Sequence, residues 1–289
     1  GIYLMKSLME MGVVFQPLTR LLNSTSTLAA LLRNKSACAN ITTVAAMTMT
    51  GLVSLISLPA QSAVLSVHCP KGCPTNPSDN DLVFAHLYAL SNNPSTKFAD
   101  WVAYEVTPTN FGTTPGRVWI DDPLLDSDKT LEKADYKNAN SSELKADRGH
   151  QAPLASFAGS RYWSELNHLS NITPQNKNLN QGPWKQLEDA VRSASSYKKS
   201  LFVITGPLFN NEMPPLPGSD EPHQVPAGYF KVIYDHKGNS ASFVMQQSAQ
   251  RADDFCTKRI QMTEVGQLVG FNLPHLKESD NTYKLLGCH

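Results

Sequence analysis

This sequence has no net charge: 25 Lys and Arg residues balance 25 Asp and Glu. That excludes a protein that coats a polyanion through a global basic field, so any polyanion site must be a local cluster of Arg and Lys. Cysteine is scarce, five in 289 residues, and the two short-spaced cysteines lack the second short pair that structural zinc usually shows. There is no internal repeat. Asp121, Asp122, Asp126 and Asp128 crowd one polar stretch, but their spacing matches no calcium loop, and they read as solvated loop charges. Only one long apolar run occurs, from Ile41 to Leu58.

What is present divides the chain near residue 63. Lys6, Arg20, Arg33 and Lys35 precede or flank the apolar run against a single acid, Glu10, and Pro59-Ala-Gln-Ser-Ala63 closes it. Basic flank, apolar core and small-residue exit make 1–63 a secretory leader, cut near 62–63, with Met5 or a later Met as the expected start. A membrane anchor is the alternative, since the run is nearly long enough to span. Its Thr and Ser content and terminal Pro favour cleavage, leaving no membrane segment. Without these residues 21 basic face 24 acidic side chains, a net of −3.

The cysteines divide at the same point. Cys38 falls in the leader, leaving Cys69, Cys73, Cys256 and Cys288. An even set in an exported chain suggests two disulfides. Cys69 and Cys73 flank a tight turn that one bridge would close, and Cys256 and Cys288 would tie the last segment to the body.

Residues 64–98, rich in Asn, Pro and Ser, read as an extended arm broken by LVFAHLYAL. Aromatic and β-branched runs predict strands at 101–106, 200–205, 228–234 and 240–245, with a short strand or edge at 117–120. His236-Lys-Gly-Asn239 joins two of them as a hairpin. Residues 121–140 and 210–226 read as loops, and 261–271 has weak helical periodicity. Strands that cluster without alternating helices indicate one α+β domain over 64–289, built on an antiparallel sheet.

Asp147-Arg-Gly-His150 and, thirty residues on, Asn180 and Glu188 carry the chemistry. Pro183 belongs in a first helical turn, so a helix is predicted from about Asn180 through WKQLEDAVRSA. On it Trp184, Leu187 and Val191 share an apolar stripe bordered by Glu188 and Arg192. By itself Asn180 is a helix cap and Glu188–Arg192 an i,i+4 pair. A lone His is also more often structural than a base. Asp147 reads as fixing its loop.

The longer string changes that. DRGHQAPLAS, LSNITPQ (169–175), NQG (180–182) and Trp184 followed by Leu187-Glu188 match in order and spacing. The sequence resembles the sugar-nonspecific DNA/RNA endonucleases, in particular the Serratia-type extracellular branch, and the likeness covers 67–289. One residue beyond the family pattern, around 140–143, shifts Arg117 relative to the motif.

The resemblance implies a ββα-metal (His-Me finger) fold, a central antiparallel sheet flanked by helices and loops. It implies His150 as general base and Asn180 as the sole direct protein ligand of Mg²⁺, with Mn²⁺ as a substitute. Glu188 would hold metal-bound waters, and Arg117, Arg148 and Arg192 would contact phosphate. Asn171 would orient the base or the phosphate, so the Asn171-Ile-Thr173 glycosylation sequon is read as accidental. The implied activity is hydrolysis of single- and double-stranded DNA and RNA to 5′-phosphate ends, by a secreted homodimer released through the periplasm. A secreted polyanion binder with an inert site is the rival, but binding alone needs no base.

Overall fold

Over Phe98–Val106 successive side chains fall on opposite sides of the backbone, and both sides are apolar. Trp101 and Ala103 join one buried cluster, Val102 and Tyr104 the other. A strand covered on both faces can only sit inside a sandwich of sheet and flanking segments.

The computed structural model describes residues 64–289, so the expected leader at 1–63 and Cys38 lie outside the described residues. In chain order the elements are β1 (Asp81–Phe84), β2 (Ala89–Asn93), β3 (Phe98–Val106), β4 (Ala146–His150) and β5 (Ile172–Asn176). There follow α1 (Lys177–Leu179), α2 (Lys185–Ala194), β6 (Leu201–Leu208), β7 (Gly228–Tyr234) and β8 (Asn239–Gln246). The chain closes with α3 (Met262–Val269), β9 (Lys277–Glu278) and α4 (Asp280–Leu285).

Seven strands form one sheet in the order β1-β2-β3-β6-β7-β8-β9, antiparallel throughout except for the short β8–β9 pair. This is the expected α+β fold with a central antiparallel sheet. One face packs against Leu187 and Val191 of α2 and Trp184 just before it, and the other against Val265 of α3. Each such side chain contributes about 1.5–3 kcal/mol by leaving water. β4 and β5 pair separately as a two-stranded hairpin over a third cluster that includes Tyr136, Leu169 and Ile172.

The structure departs from the sequence reading in three places. The supposed arm contains the β1–β2 hairpin, which extends the sheet edge by pairing β2 with β3. No strand forms at 117–120: Val118 is 63% exposed, and a single bridge between Ile120 and His168 is the segment's only β pairing. The helix also begins before Asn180. Asn176 caps α1 by accepting from the backbone N–H of Asn178 at 2.8 Å, and Asn180–Trp184 is a wide π-helical turn between α1 and α2. Pro183 removes a donor there, and Gly182 takes a non-helical backbone, so the turn widens instead of continuing as α-helix.

The β7–β8 hairpin forms as predicted. Asp235 accepts from the backbone N–H groups of Lys237 and Asn239 at 2.8 and 2.9 Å, and Gly238 takes φ +84°. Cys69 bonds to Cys73 and Cys256 to Cys288.

Candidate active site

β4 delivers His150 at its end. The strand can lie against β5 because position 149 is glycine: a Cβ there would sit 2.5 Å from the Gln175 side-chain oxygen. Beyond His150 the chain is locked by Asn171. Its side chain accepts from the Ala152 N–H at 2.8 Å and donates to the carbonyls of Ala152 and Leu166 at 3.0 and 2.9 Å.

Asn171, expected to orient the base or the phosphate, is placed behind the site in this structure. Its side chain is fully buried, touches neither base nor cavity, and fixes the backbone that follows His150. With the amide nitrogen enclosed and committed, the sequon at Asn171 offers no attachment point in the folded chain.

The residue that does hold the imidazole is Asn167, whose Oδ1 lies 3.2 Å from His150 Nε2. An amide oxygen only accepts, so Nε2 donates and Nδ1 keeps the ring's free lone pair. Trp119 lies beside the ring, centroids 5.3 Å apart. Burial lowers the His150 pKa to about 4, assisted by the nearby Arg117 charge and opposed by the Asn167 hydrogen bond. The imidazole is therefore neutral at neutral pH.

His150 opens on a cavity of about 1080 Å³ that Arg117, Arg148, Asn180, Glu188 and Arg192 also line. Six of the seven candidate catalytic and metal-binding side chains thus meet at one place, and Asn171 is the exception. Lys137, Lys185 and Arg251 join the three arginines, so six cations face two carboxylates, Asp147 and Glu188. A chain without net positive charge thus carries a local basic excess around this cavity.

Several of these groups are fixed by their neighbours. The Arg148 guanidinium stacks over Trp119 and Tyr136, 5.6 and 5.2 Å from the ring centroids, and donates to the Lys133 carbonyl at 3.2 Å. Arg192 pairs with Asp189 rather than with Glu188, and donates to Ser156 Oγ at 3.4 Å. Asp147 accepts from Asn180 Nδ2 at 2.9 Å and from Gln181 Nε2 at 2.7 Å. Arg251 in turn donates to Gln181 Oε1 at 2.7 Å. Because the carboxylate of Asp147 takes the amide N–H of Asn180, Asn180 Oδ1 is left available as a ligand.

Glu188 is the second oxygen donor. Burial pushes its carboxyl pKa up, while Lys231 and Arg192 pull it down. An all-oxygen set of one neutral amide and one carboxylate fits a hard cation that keeps most of its water, such as Mg²⁺, and suits soft metals poorly.

Sequence reasoning missed Asn167, Trp119, Lys231 and the Asp147–Gln181–Arg251 chain. Only Lys231 carried a signal, as a lone lysine inside the apolar run of β7.

Residues 66–280 match the family described as DNA/RNA non-specific endonuclease. A nuclease of Serratia marcescens is 43% identical over 209 residues, covering 70% of this chain and 78% of that protein. A Nostoc nuclease is 31% identical over 180 residues, 54% of this chain and 64% of its own length. Human mitochondrial endonuclease G is 32% identical over 126 residues, 42% of this chain and 41% of its own. Among solved structures, an EndoG chain from an EndoG/EndoGI complex superposes with a TM-score of 0.58 at 20% identity, over 70% of this chain and 88% of that one.

Proposed function

This chain belongs to the DNA/RNA non-specific endonuclease family, and from that premise we propose a Mg²⁺-dependent, sequence-indifferent hydrolase acting through His150. Its fold is that of the ββα-metal nucleases, with β4, β5 and the α1–α2 helix pair as the ββα unit. The carrying observation is a neutral imidazole, committed through Nε2 to Asn167, on the same cavity as the free oxygen of Asn180.

His150 Nδ1 removes a proton from a water beside the scissile phosphate, and that water attacks phosphorus. Arg117, Arg148 and Arg192 bind the non-bridging oxygens, where a planar guanidinium matches the charge as it builds. Asn180 Oδ1 would hold the metal directly and Glu188 its waters. A hydrated Mg²⁺ or Mn²⁺ bound there would supply electrostatic stabilisation and an acidic water for the departing 3′ oxygen. Cleavage on that side of phosphorus leaves 5′-phosphate ends.

All of these groups address phosphate, water or metal, and phosphate contacts carry no base identity. That supports single- and double-stranded DNA and RNA as substrates alike. Two disulfides support an oxidising destination, in keeping with secretion. Among the described residues, no helix is long and apolar enough to cross a membrane. A homodimer is proposed from the family resemblance.

The test is digestion of plasmid and of RNA by purified protein, with and without EDTA. Cleavage of both, abolished by EDTA and restored by Mg²⁺, is expected. Cleavage of DNA alone would end the sugar-nonspecific reading, and activity in EDTA would end the metal-dependent one.

A further inference from the structure

β7 reads Gly-Tyr-Phe-Lys-Val-Ile-Tyr and every residue in it is buried. Phe230 and Val232 face the α3 side of the sheet, Tyr229 and Ile233 the α2 side. Alternation therefore sends the Lys231 side chain toward α2. Its exposure is 0%. A lysine is almost never fully buried without partners, because burying an ammonium is costly.

The ammonium meets three groups. Tyr104 Oη is 3.2 Å from Nζ, the Trp184 ring centroid is 4.3 Å away, and Glu188 Oε1 lies at 3.5 Å. Trp184 and Glu188 both belong to the segment that carries Asn180. Among the described residues, Lys231 is the only hydrogen-bond or ion-pair partner of the Glu188 carboxylate, so Oε2 is left to the cavity that Glu188 lines. Lys231 itself does not reach that cavity.

We propose that Lys231 is a positioning residue for the metal site: from the core side of the sheet it holds Glu188 as an oriented carboxylate, with one oxygen pinned and the other presented to the hydrated cation. The inference rests on the proposed role of Glu188 and deepens it by naming what fixes that role. Removing one member of a buried ion pair strands the other, whereas removing both charges leaves no unpaired ion. The two residues should therefore act as one unit in a double-mutant cycle.

The experiment measures Mn²⁺ binding by calorimetry to the purified full chain, without nucleic acid, in the parent, Lys231→Met, Glu188→Gln and the double variant. We expect each single variant to weaken Mn²⁺ binding by about tenfold or more, in the range of losses for groups that orient metal ligands. The double variant should bind no more weakly than Glu188→Gln, and its Tm should exceed that of Lys231→Met. Parent-like affinity in Lys231→Met with weakened Glu188→Gln overturns the assignment of Lys231 alone. Parent-like affinity in Glu188→Gln removes the proposed role of Glu188 and the inference with it. Should Lys231→Met not fold, the double variant against Glu188→Gln decides: equal affinity supports the pairing and a further loss overturns it.

Discussion

The amide oxygen of Asn167 stands 3.2 Å from His150 Nε2 and so leaves Nδ1 as the imidazole nitrogen with a free lone pair, the one the proposed mechanism uses as base. A water cannot take this place without freeing the ring to rotate. Asn167→Ala is therefore expected to lower kcat by about tenfold or more, a fraction of what a general base contributes, with little change in KM. Steady-state kinetics on plasmid DNA check this.

The depressed pKa of His150, about 4, has a signed consequence. Between that value and the ordinary 6.5 the unfolded chain binds a proton that the folded chain does not. His150 therefore contributes stability that is present above 6.5 and lost as pH falls toward 4. In catalysis the base stays unprotonated through this window, so its own acid limb lies near pH 4. Replacing Arg117 by Gln removes the cation that helps depress the pKa and should move the limb to higher pH. The pH profile of kcat/KM for both proteins reads the shift.

Asp147 points the Asn180 amide by taking its N–H at 2.9 Å. Asp147→Ala frees that amide to turn, and the Mg²⁺ concentration for half-maximal activity should rise about 10–100-fold. An unchanged Mg²⁺ requirement would mean that Asn180 needs no such orientation.

The two disulfides differ in the loop they close, with sequence separations of 32 for Cys256–Cys288 and 4 for Cys69–Cys73. Loop entropy predicts a loss of about 3–4 kcal/mol for the long bridge and about 2 kcal/mol for the short one. Thermal unfolding of the Cys256→Ser/Cys288→Ser and Cys69→Ser/Cys73→Ser variants gives the comparison.

Much of the fold was legible in the sequence because one period dominates each element. Trp101 and Tyr229 sit in runs that only a two-sided sheet can bury, and Trp184, Leu187 and Val191 mark the buried stripe that runs from the π-turn into α2. The β1–β2 hairpin was not legible, since its turn at Ala85–Tyr88 contains no Gly, Pro or Asn. Packing closes it instead: Leu87 and Tyr88 are buried, and Glu165 holds His86 Nδ1 at 2.6 Å.

The candidate site divides in the same way. The resemblance of the longer string, not the residue types alone, pointed to His150, Asn180 and Glu188. Within the run that holds Asn167 and Asn171, local sequence does not tell what each side chain touches. Only the fold separates them, giving one the imidazole and the other three backbone groups. The start of the helix was misplaced because Pro183 is a good first-turn signal, and nothing local distinguishes that from a π-turn. Lys231 went unassigned because its partner is on another element, 43 residues away.

At the centre of the proposed mechanism, His150 would act as the base and contribute little to binding. His150→Ala should bind a DNA duplex, in the presence of Mg²⁺, as tightly as the parent does, measured under single-turnover conditions, and cleave it at least about 10²-fold more slowly. Cleavage at the parent rate with binding intact would contradict the assignment of His150 as the base.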